Sequence, residues 1–283
     1  MPSLPSSGAE SPPDSQTTLY RFTRVKTVSP GPLGEALSER DWAVVRDVER
    51  LRLVTGAQLE RLHFAEHGEP SRAVVRRRVL RRLARLRVLG TLARQIGGVR
   101  SGSDGLVFAL DIAGQRLLGE LGRVARPRTP GWSFVQHTLG VSEMYVELVE
   151  RTRADERVRL ERFEAEPACW WPDGRGGRLK PDGYIRLSTP DYVDHWWLEL
   201  DRATESLTAI RRKLTAYADF WQSGQLGPDG VVPRVLVTVP DAKRYSDLVR
   251  LIHQLPREGE KLFVVSLSND AAEMIMRYLK RPS

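Results

Sequence analysis

Asp182, Glu199 and Asp201 are the residues of this 283-residue chain whose types and spacing could do hydrolytic chemistry. Pro181-Asp182-Gly183 opens an apolar run that reads as a strand, and Glu199-Leu200-Asp201 closes the next such run. Side chains alternate across a strand, so Glu199 and Asp201 are expected on one face, with Trp196, Leu198 and Leu200 on the other. If the two strands pair, Asp182 joins those carboxylates at one end of a sheet. Three acids together repel one another unless a divalent cation or a lysine neutralises them. Hard oxygen donors with open positions suit Mg2+ or Mn2+, which polarise a scissile phosphate and lower the pKa of an attacking water. On the helix that follows, Lys213 and Tyr217 are four apart and share a face. Lys213 flanks the apolar stripe Leu207, Ile210, Leu214 and Trp221, so its stem can lie along the sheet with its ammonium toward the carboxylates. The plainer reading makes Asp182 and Glu199 strand-end acids paired with Arg186 or Arg202.

The elements that would position these groups follow from hydrophobic periodicity. A helix is expected over 133–151, strands over 158–164, 181–187 and 192–201, a helix over 205–222, a strand over 232–239, a helix over 243–255, a strand over 262–267 and a closing helix. That order gives a mixed sheet covered by helices on both faces, an α/β architecture. No internal repeat is present.

A different pattern precedes it. Residues 1–37, rich in proline and serine and without apolar periodicity, read as a disordered tail. Ser38 can cap a helix carrying Trp42, Val45, Val48 and Leu51. Thr55-Gly56-Ala57-Gln58 is a capping box that starts a short helix. Ser71 can cap a third helix whose apolar stripe is Val75, Val79, Leu83 and Leu86, with Arg72, Arg76, Arg77, Arg78, Arg81, Arg82 and Arg85 on its other faces. Two short apolar runs, 88–92 and 106–110, then flank a glycine- and serine-rich tip. Three helices followed by a hairpin is the order of a winged helix-turn-helix over 38–121, with the arginine helix in the major groove of double-stranded DNA and Arg94 and Arg100 on the wing near phosphates. Between residues 71 and 94 there is no acid, whereas a merely solvated helix face usually mixes signs. A winged-helix protein-binding adaptor is the alternative. Residues 122–131 read as a linker to a second domain over 132–283.

Composition sets the outer limits. A hydrophobic share of 41% and a charged share of 28% exclude whole-chain disorder, collagen-like repetition and a coiled-coil rod. No apolar run approaches the ~20 residues of a membrane helix, and the opening Met1-Pro2-Ser3-Leu4-Pro5 lacks the features of a secretory signal, so the cytoplasm is the expected compartment. The single cysteine, Cys169, beside Trp170 and Trp171, excludes an intramolecular disulfide and reads as a packing residue. The formal net charge of +8 points to a polyanionic partner. Arginine far outnumbers lysine, which suits bidentate phosphate contacts and is equally the mark of a GC-rich genome. There is no Gly-x-x-x-x-Gly-Lys phosphate loop, no nucleophile elbow and no histidine cluster.

The Pro-Asp, Glu-x-Asp and Lys-x-x-x-Tyr series resembles the PD-(D/E)xK nuclease superfamily. With a winged helix in front, the chain resembles the replication-relaxation family of plasmid and mobile-element proteins. The string Trp197-Leu198-Glu199-Leu200-Asp201-Arg202-Ala203-Thr204-Glu205-Ser206, then Lys213 and Tyr217, carries most of the likeness, which covers about residues 38–280. It implies a restriction-endonuclease-like fold and a metal-dependent DNA endonuclease or nickase, relaxase-like, serving plasmid or mobile-element replication or transfer. Under it Asp182 and Glu199 take the two metal-ligand positions. Asp201 stands where the name-giving lysine would, a departure that bears on catalysis and not on the fold. Lys213 replaces that lysine from the neighbouring helix, as the glutamine of a Gln-x-x-x-Tyr motif does in some nuclease branches, and Tyr217 matches that motif's tyrosine. The acid often found on the first helix falls on Glu143 or Glu147, with Glu143 preferred, while His137 reads as a packing or capping residue. The same resemblance leaves open a non-catalytic DNA-binding regulator or replication accessory with a degenerate nuclease fold, acting as a homodimer or with replication or transfer partner proteins.

Overall fold

The computed structural model describes residues 31–68, 70–92, 95–96, 99–100, 106–119, 130–255 and 259–280. Its first element corrects the boundary of the expected tail. Gly31–Glu35 forms a short helix, α1, and Leu33 and Leu37 are buried in the core. Two leucines one helical turn apart suffice to dock this segment despite its flanking prolines. The expectation for residues 1–30 lies outside the described residues.

Ser38 caps α2 (Glu39–Leu51) in a reciprocal box with Asp41, and Thr55 caps α3 (Gly56–His63) in a box with Gln58. Each box satisfies two amides that a helix start leaves free. The arginine helix, α4, spans Ser71–Arg85, but the Ser71 hydroxyl does not cap it; Pro70 occupies the cap position without a side-chain bond. Val54–Thr55 (β1), Leu89–Leu92 (β2) and Val107–Leu110 (β5) form a small antiparallel sheet in the order β1-β5-β2. Gln95–Ile96 (β3) pairs with Val99–Arg100 (β4) at the tip between β2 and β5. Asp111 caps a further short helix, α5 (Ile112–Leu117), which the periodicity does not announce.

The second half follows the expected order closely. Helix α6 (Trp132–Ala154) leads into Arg159–Ala165 (β6), a small hairpin of Trp171–Pro172 (β7) and Arg178–Leu179 (β8), Gly183–Ser188 (β9) and Val193–Leu200 (β10). Then come α7 (Leu207–Gln222), Arg234–Val239 (β11), α8 (Ala242–Ile252), Phe263–Leu267 (β12) and α9 (Ala271–Leu279). The large sheet has the order β12-β11-β10-β9-β6. Strands β6, β9 and β10 run antiparallel, whereas β10, β11 and β12 are parallel. The parallel strands require crossovers, which α7 and α8 supply. Alternation along β10 assigns the layers: Trp196 and Leu198 face α6 and α9, while Trp197 faces α7 and α8. Cys169 is buried in the second of these layers.

The two halves are not independent bodies. One apolar core runs from Leu33 through Val48 and Leu59 to Tyr145, Trp196 and Ile275. Polar bonds stitch the same boundary: Ser142 Oγ donates to Leu53 O at 2.7 Å, Gln58 Nε2 to Leu139 O at 3.2 Å and the Tyr145 hydroxyl to Asp47 Oδ1 at 3.0 Å. Helix α6 therefore belongs to both halves. No helix among the described residues is long and apolar enough to cross a membrane.

Candidate functional site

Gly183 lies opposite Leu198 in the β9–β10 pair, which sets Asp182 beside the end of β10. Asp182 N donates to Leu198 O at 2.8 Å, and Asp182 Oδ2 accepts from Leu200 N at 2.7 Å. The carboxylate is thus pinned across the strand end. Glu199 faces α7, where its Oε1 accepts from the Tyr217 hydroxyl at 2.5 Å and its Oε2 lies 3.6 Å from Lys213 Nζ. The four-residue spacing of Lys213 and Tyr217 puts both on the turn of α7 above that carboxylate. Lys213 is shared, since Glu205 Oε1 on the β10–α7 loop lies 3.3 Å from the same ammonium. From the second turn of α6, His137 brings Nε2 to 3.1 Å from Asp182 Oδ1. Phe134, His137, Asp182, Glu199, Glu205 and Lys213 all line one cleft of about 360 Å³.

Burial decides the electrostatics. Glu199 and Asp182 are both buried, and for Glu199 burial first and the Asp182 charge second push its pKa up to about 8, against the pull of Lys213 and Tyr217. Burial and the same carboxylate hold the Tyr217 phenol well above its ordinary value, so it stays a hydrogen-bond donor. Burial works against the Lys213 charge, but Glu199, Asp182 and Glu205 outweigh it and hold the ammonium above its usual range. The bond to Asp182 raises His137 although burial opposes the charge.

Four sequence expectations about this site change. Asp201 lines the cleft but is not free: Arg244 binds it through Nε and, at 3.3 Å, through Nη2, and Ala203 N donates to it at 2.8 Å. Strand β10 ends at Leu200, so alternation no longer governs the next residue. Glu143 is away from the cleft, bound by Gln58 Nε2 at 2.8 Å and by Arg61. The α6 contribution to the cleft is His137, whose place at the helix start suggests no more than packing or capping. Nor do the acids pair with Arg186 or Arg202: Arg186 bonds Asp229, and Arg202 Nη1 donates to Ser133 O at 3.3 Å. Of the three acids of the sequence motif, Asp182 and Glu199 are accordingly the two in the cleft with no arginine on them among the described residues. Among the described residues no three His, Cys, Asp or Glu side chains gather into a metal cage.

On α4 the arginines divide. Arg77, Arg78, Arg81, Arg82 and Arg85 are exposed and line one shallow groove. Arg82 also binds Asp41 of α2. Arg76 is buried, its Nη1 at 3.0 Å from Glu60 Oε2, so it belongs to the core and not to a DNA face. Arg72 turns back on the chain, donating to His67 O at 3.0 Å and Ala65 O at 3.2 Å. Arg100 is part of β4, and Arg94 lies outside the described residues.

A family model described as replication-relaxation matches residues 45–235. That span includes the exposed arginines of α4 and also His137, Asp182, Glu199, Lys213 and Tyr217. No curated protein and no solved structure matches the chain. With the match covering well over half its length, the chain belongs to the replication-relaxation family.

Proposed function

We propose that the protein binds double-stranded DNA through α4, in the manner of a winged helix-turn-helix, and acts on it at the cleft as a Mg2+- or Mn2+-dependent nickase in plasmid or mobile-element replication or transfer. The observation that carries this reading is the convergence of Asp182, Glu199 and Lys213 from two strand ends and a helix on one cleft. The donor chemistry fits the cation. Two carboxylates line the same cleft, burial first and the Asp182 charge second pushing Glu199 up to about 8, and magnesium commonly takes one or two protein carboxylates while keeping waters and substrate phosphates in its other positions. When bound, such an ion would polarise the scissile phosphate and lower the pKa of an attacking water. The chain's own residues do the rest. Lys213 offers an ammonium to phosphate charge that grows during attack. Tyr217 fixes the Glu199 carboxylate, and His137 and Leu200 N fix that of Asp182. The five exposed arginines of α4 supply phosphate contacts.

A second reading has its own support. Asp201 is neutralised by Arg244, and Lys213 already lies between two carboxylates, as expected of a DNA-binding accessory protein whose nuclease-like cleft no longer cleaves. Manganese titration of the full chain, with and without duplex DNA, separates the two. The nickase reading expects one site that Asp182→Asn and Glu199→Gln each remove. Absence of binding in the wild type in both conditions favours the accessory protein.

A further inference from the structure

On the sheet face that carries Asp182 and Glu199, two residue pairs further along, a basic row crosses three strands. Arg162 of β6 stands opposite Arg186 of β9, and Arg186 opposite His195 of β10. Beside them is Tyr184, whose hydroxyl lies 2.7 Å from His195 Nδ1. All four groups converge on the carboxylate of Asp229. The Tyr184 hydroxyl is 3.2 Å from it, Arg186 Nη1 3.4 Å, Arg162 Nη1 3.9 Å and His195 Nδ1 3.9 Å. The proton order that satisfies every member runs from His195 Nδ1–H to the Tyr184 oxygen and from the Tyr184 hydroxyl to Asp229. The four side chains thus turn donors toward Asp229, although Arg162 is held more closely by Glu164, whose Oε1 accepts from its Nε at 2.8 Å and lies 2.7 Å from its Nη2.

Asp229 fills this cradle poorly. Charge-assisted bonds close to about 2.7–2.9 Å, and none of these four does. Arg186 Nε is buried with no hydrogen-bond partner, a state that costs free energy unless something else binds there. Asp229 itself sits at φ +57° between Pro228 and Gly230, left-handed backbone that Asp tolerates but few residues adopt. The Arg186 and Arg162 side chains reach solvent, being 37% and 42% exposed, whereas Tyr184 and the Arg186 Nε lie buried behind them.

We propose that Arg162, Arg186, Tyr184 and His195 form a binding site for a phosphate-class oxyanion, with Asp229 as its displaceable plug. A tetrahedral phosphate carries more oxygens on a wider frame than a carboxylate. It can take the fork of Arg186 through Nε and Nη1 together while still accepting from Tyr184. The ligand is either the phosphodiester of a nucleic-acid strand or a free phosphate, which share this chemistry. The inference does not rest on the function assigned to the Asp182–Glu199 cleft.

The test is calorimetric titration of the full-length protein with inorganic phosphate and, separately, with a thymidine dinucleotide carrying one phosphodiester. Three proteins are compared: wild type, Asp229→Asn and Asp229→Asn/Arg186→Gln. Asparagine keeps the shape and tolerates the left-handed backbone; Asp229→Gly, at ease with positive φ, replaces it if the first variant does not fold. Removing the repelling carboxylate is expected to tighten binding of at least one probe about tenfold, and Arg186→Gln to abolish that gain. A gain for inorganic phosphate alone identifies a free phosphate as the ligand, and a gain for the dinucleotide identifies the nucleic-acid backbone. The proposal is overturned if Asp229→Asn binds neither probe more tightly than wild type, or if the gain survives loss of Arg186.

Discussion

Asp201 and Arg244 form a two-point ion pair at the edge of the cleft, with the Asp201 side chain 2% and the Arg244 side chain 11% exposed. The same guanidinium donates to Glu205 O at 2.8 Å, so the pair ties α8 to the loop that carries Glu205 toward Lys213. The third acid of the sequence motif thus works as a clamp on the rim of the cleft.

Breaking a buried pair strands a charge, which costs about 3–5 kcal/mol. Asp201→Asn is therefore expected to lower stability by an amount in that range in urea denaturation while leaving manganese affinity unchanged. A fall in manganese affinity with little loss of stability would make Asp201 a ligand after all.

Glu199 predicts a pH dependence. Its carboxyl is pushed up to about 8 in the folded protein, from an ordinary value of 4.5. Between those values the native state keeps a proton that the unfolded chain has released, so stability falls as pH rises through the window, and the full cost is carried above it. In the presence of a chelator, Glu199→Gln should be more stable than wild type at pH above about 8, with the difference shrinking toward pH 4.5. Magnesium should narrow the gap at high pH by binding only the wild type. Urea midpoints across the range measure this, and a gap independent of pH would assign the cost to another group.

The arginines of α4 separate two effects. Replacing Arg77, Arg78 and Arg81 together should weaken duplex binding and flatten its salt dependence, by about 0.9 in log–log slope for each phosphate that is no longer neutralised. Arg76→Ala should instead destabilise the fold, by roughly 3 kcal/mol, because it leaves Glu60 unpaired beside the core. Fluorescence anisotropy at several salt concentrations, with thermal unfolding, distinguishes them. Equal loss of affinity in both variants at unchanged stability would contradict the division.

Period-two and helical patterns locate every strand of the large sheet: β9, β10, β11 and β12 because largely buried strands leave little choice of residue type, and the edge strand β6 by its alternation toward Phe163 and Ala165. Asp182, Glu199, Lys213 and Tyr217 come together for the same reason: two strand ends and one helical turn suffice to place them. Glu143 fails on distance and phase. It stands six residues after His137, about 9 Å further along α6 and about 240° round it, and the sequence does not say which turn of that helix meets the strand ends. Arg76 fails because the buried face of α4 runs through Arg76, Leu80 and Leu83, not the all-apolar stripe beginning at Val75. Glu60, across on α3, makes an arginine tolerable there, and such a partner is invisible along the chain.

The most direct measurement is nicking of supercoiled plasmid DNA by the purified full-length protein, with and without magnesium. Magnesium-dependent conversion to open circles is expected of the wild type. Asp182→Asn and Glu199→Gln should abolish it, with duplex affinity retained within about twofold, since binding is assigned to α4; Lys213→Ala should slow it by about 10²–10³-fold, the usual effect of losing one charge-stabilising donor. A wild type that leaves the plasmid supercoiled, or a Glu199→Gln variant that nicks as fast as wild type, would contradict the nickase assignment.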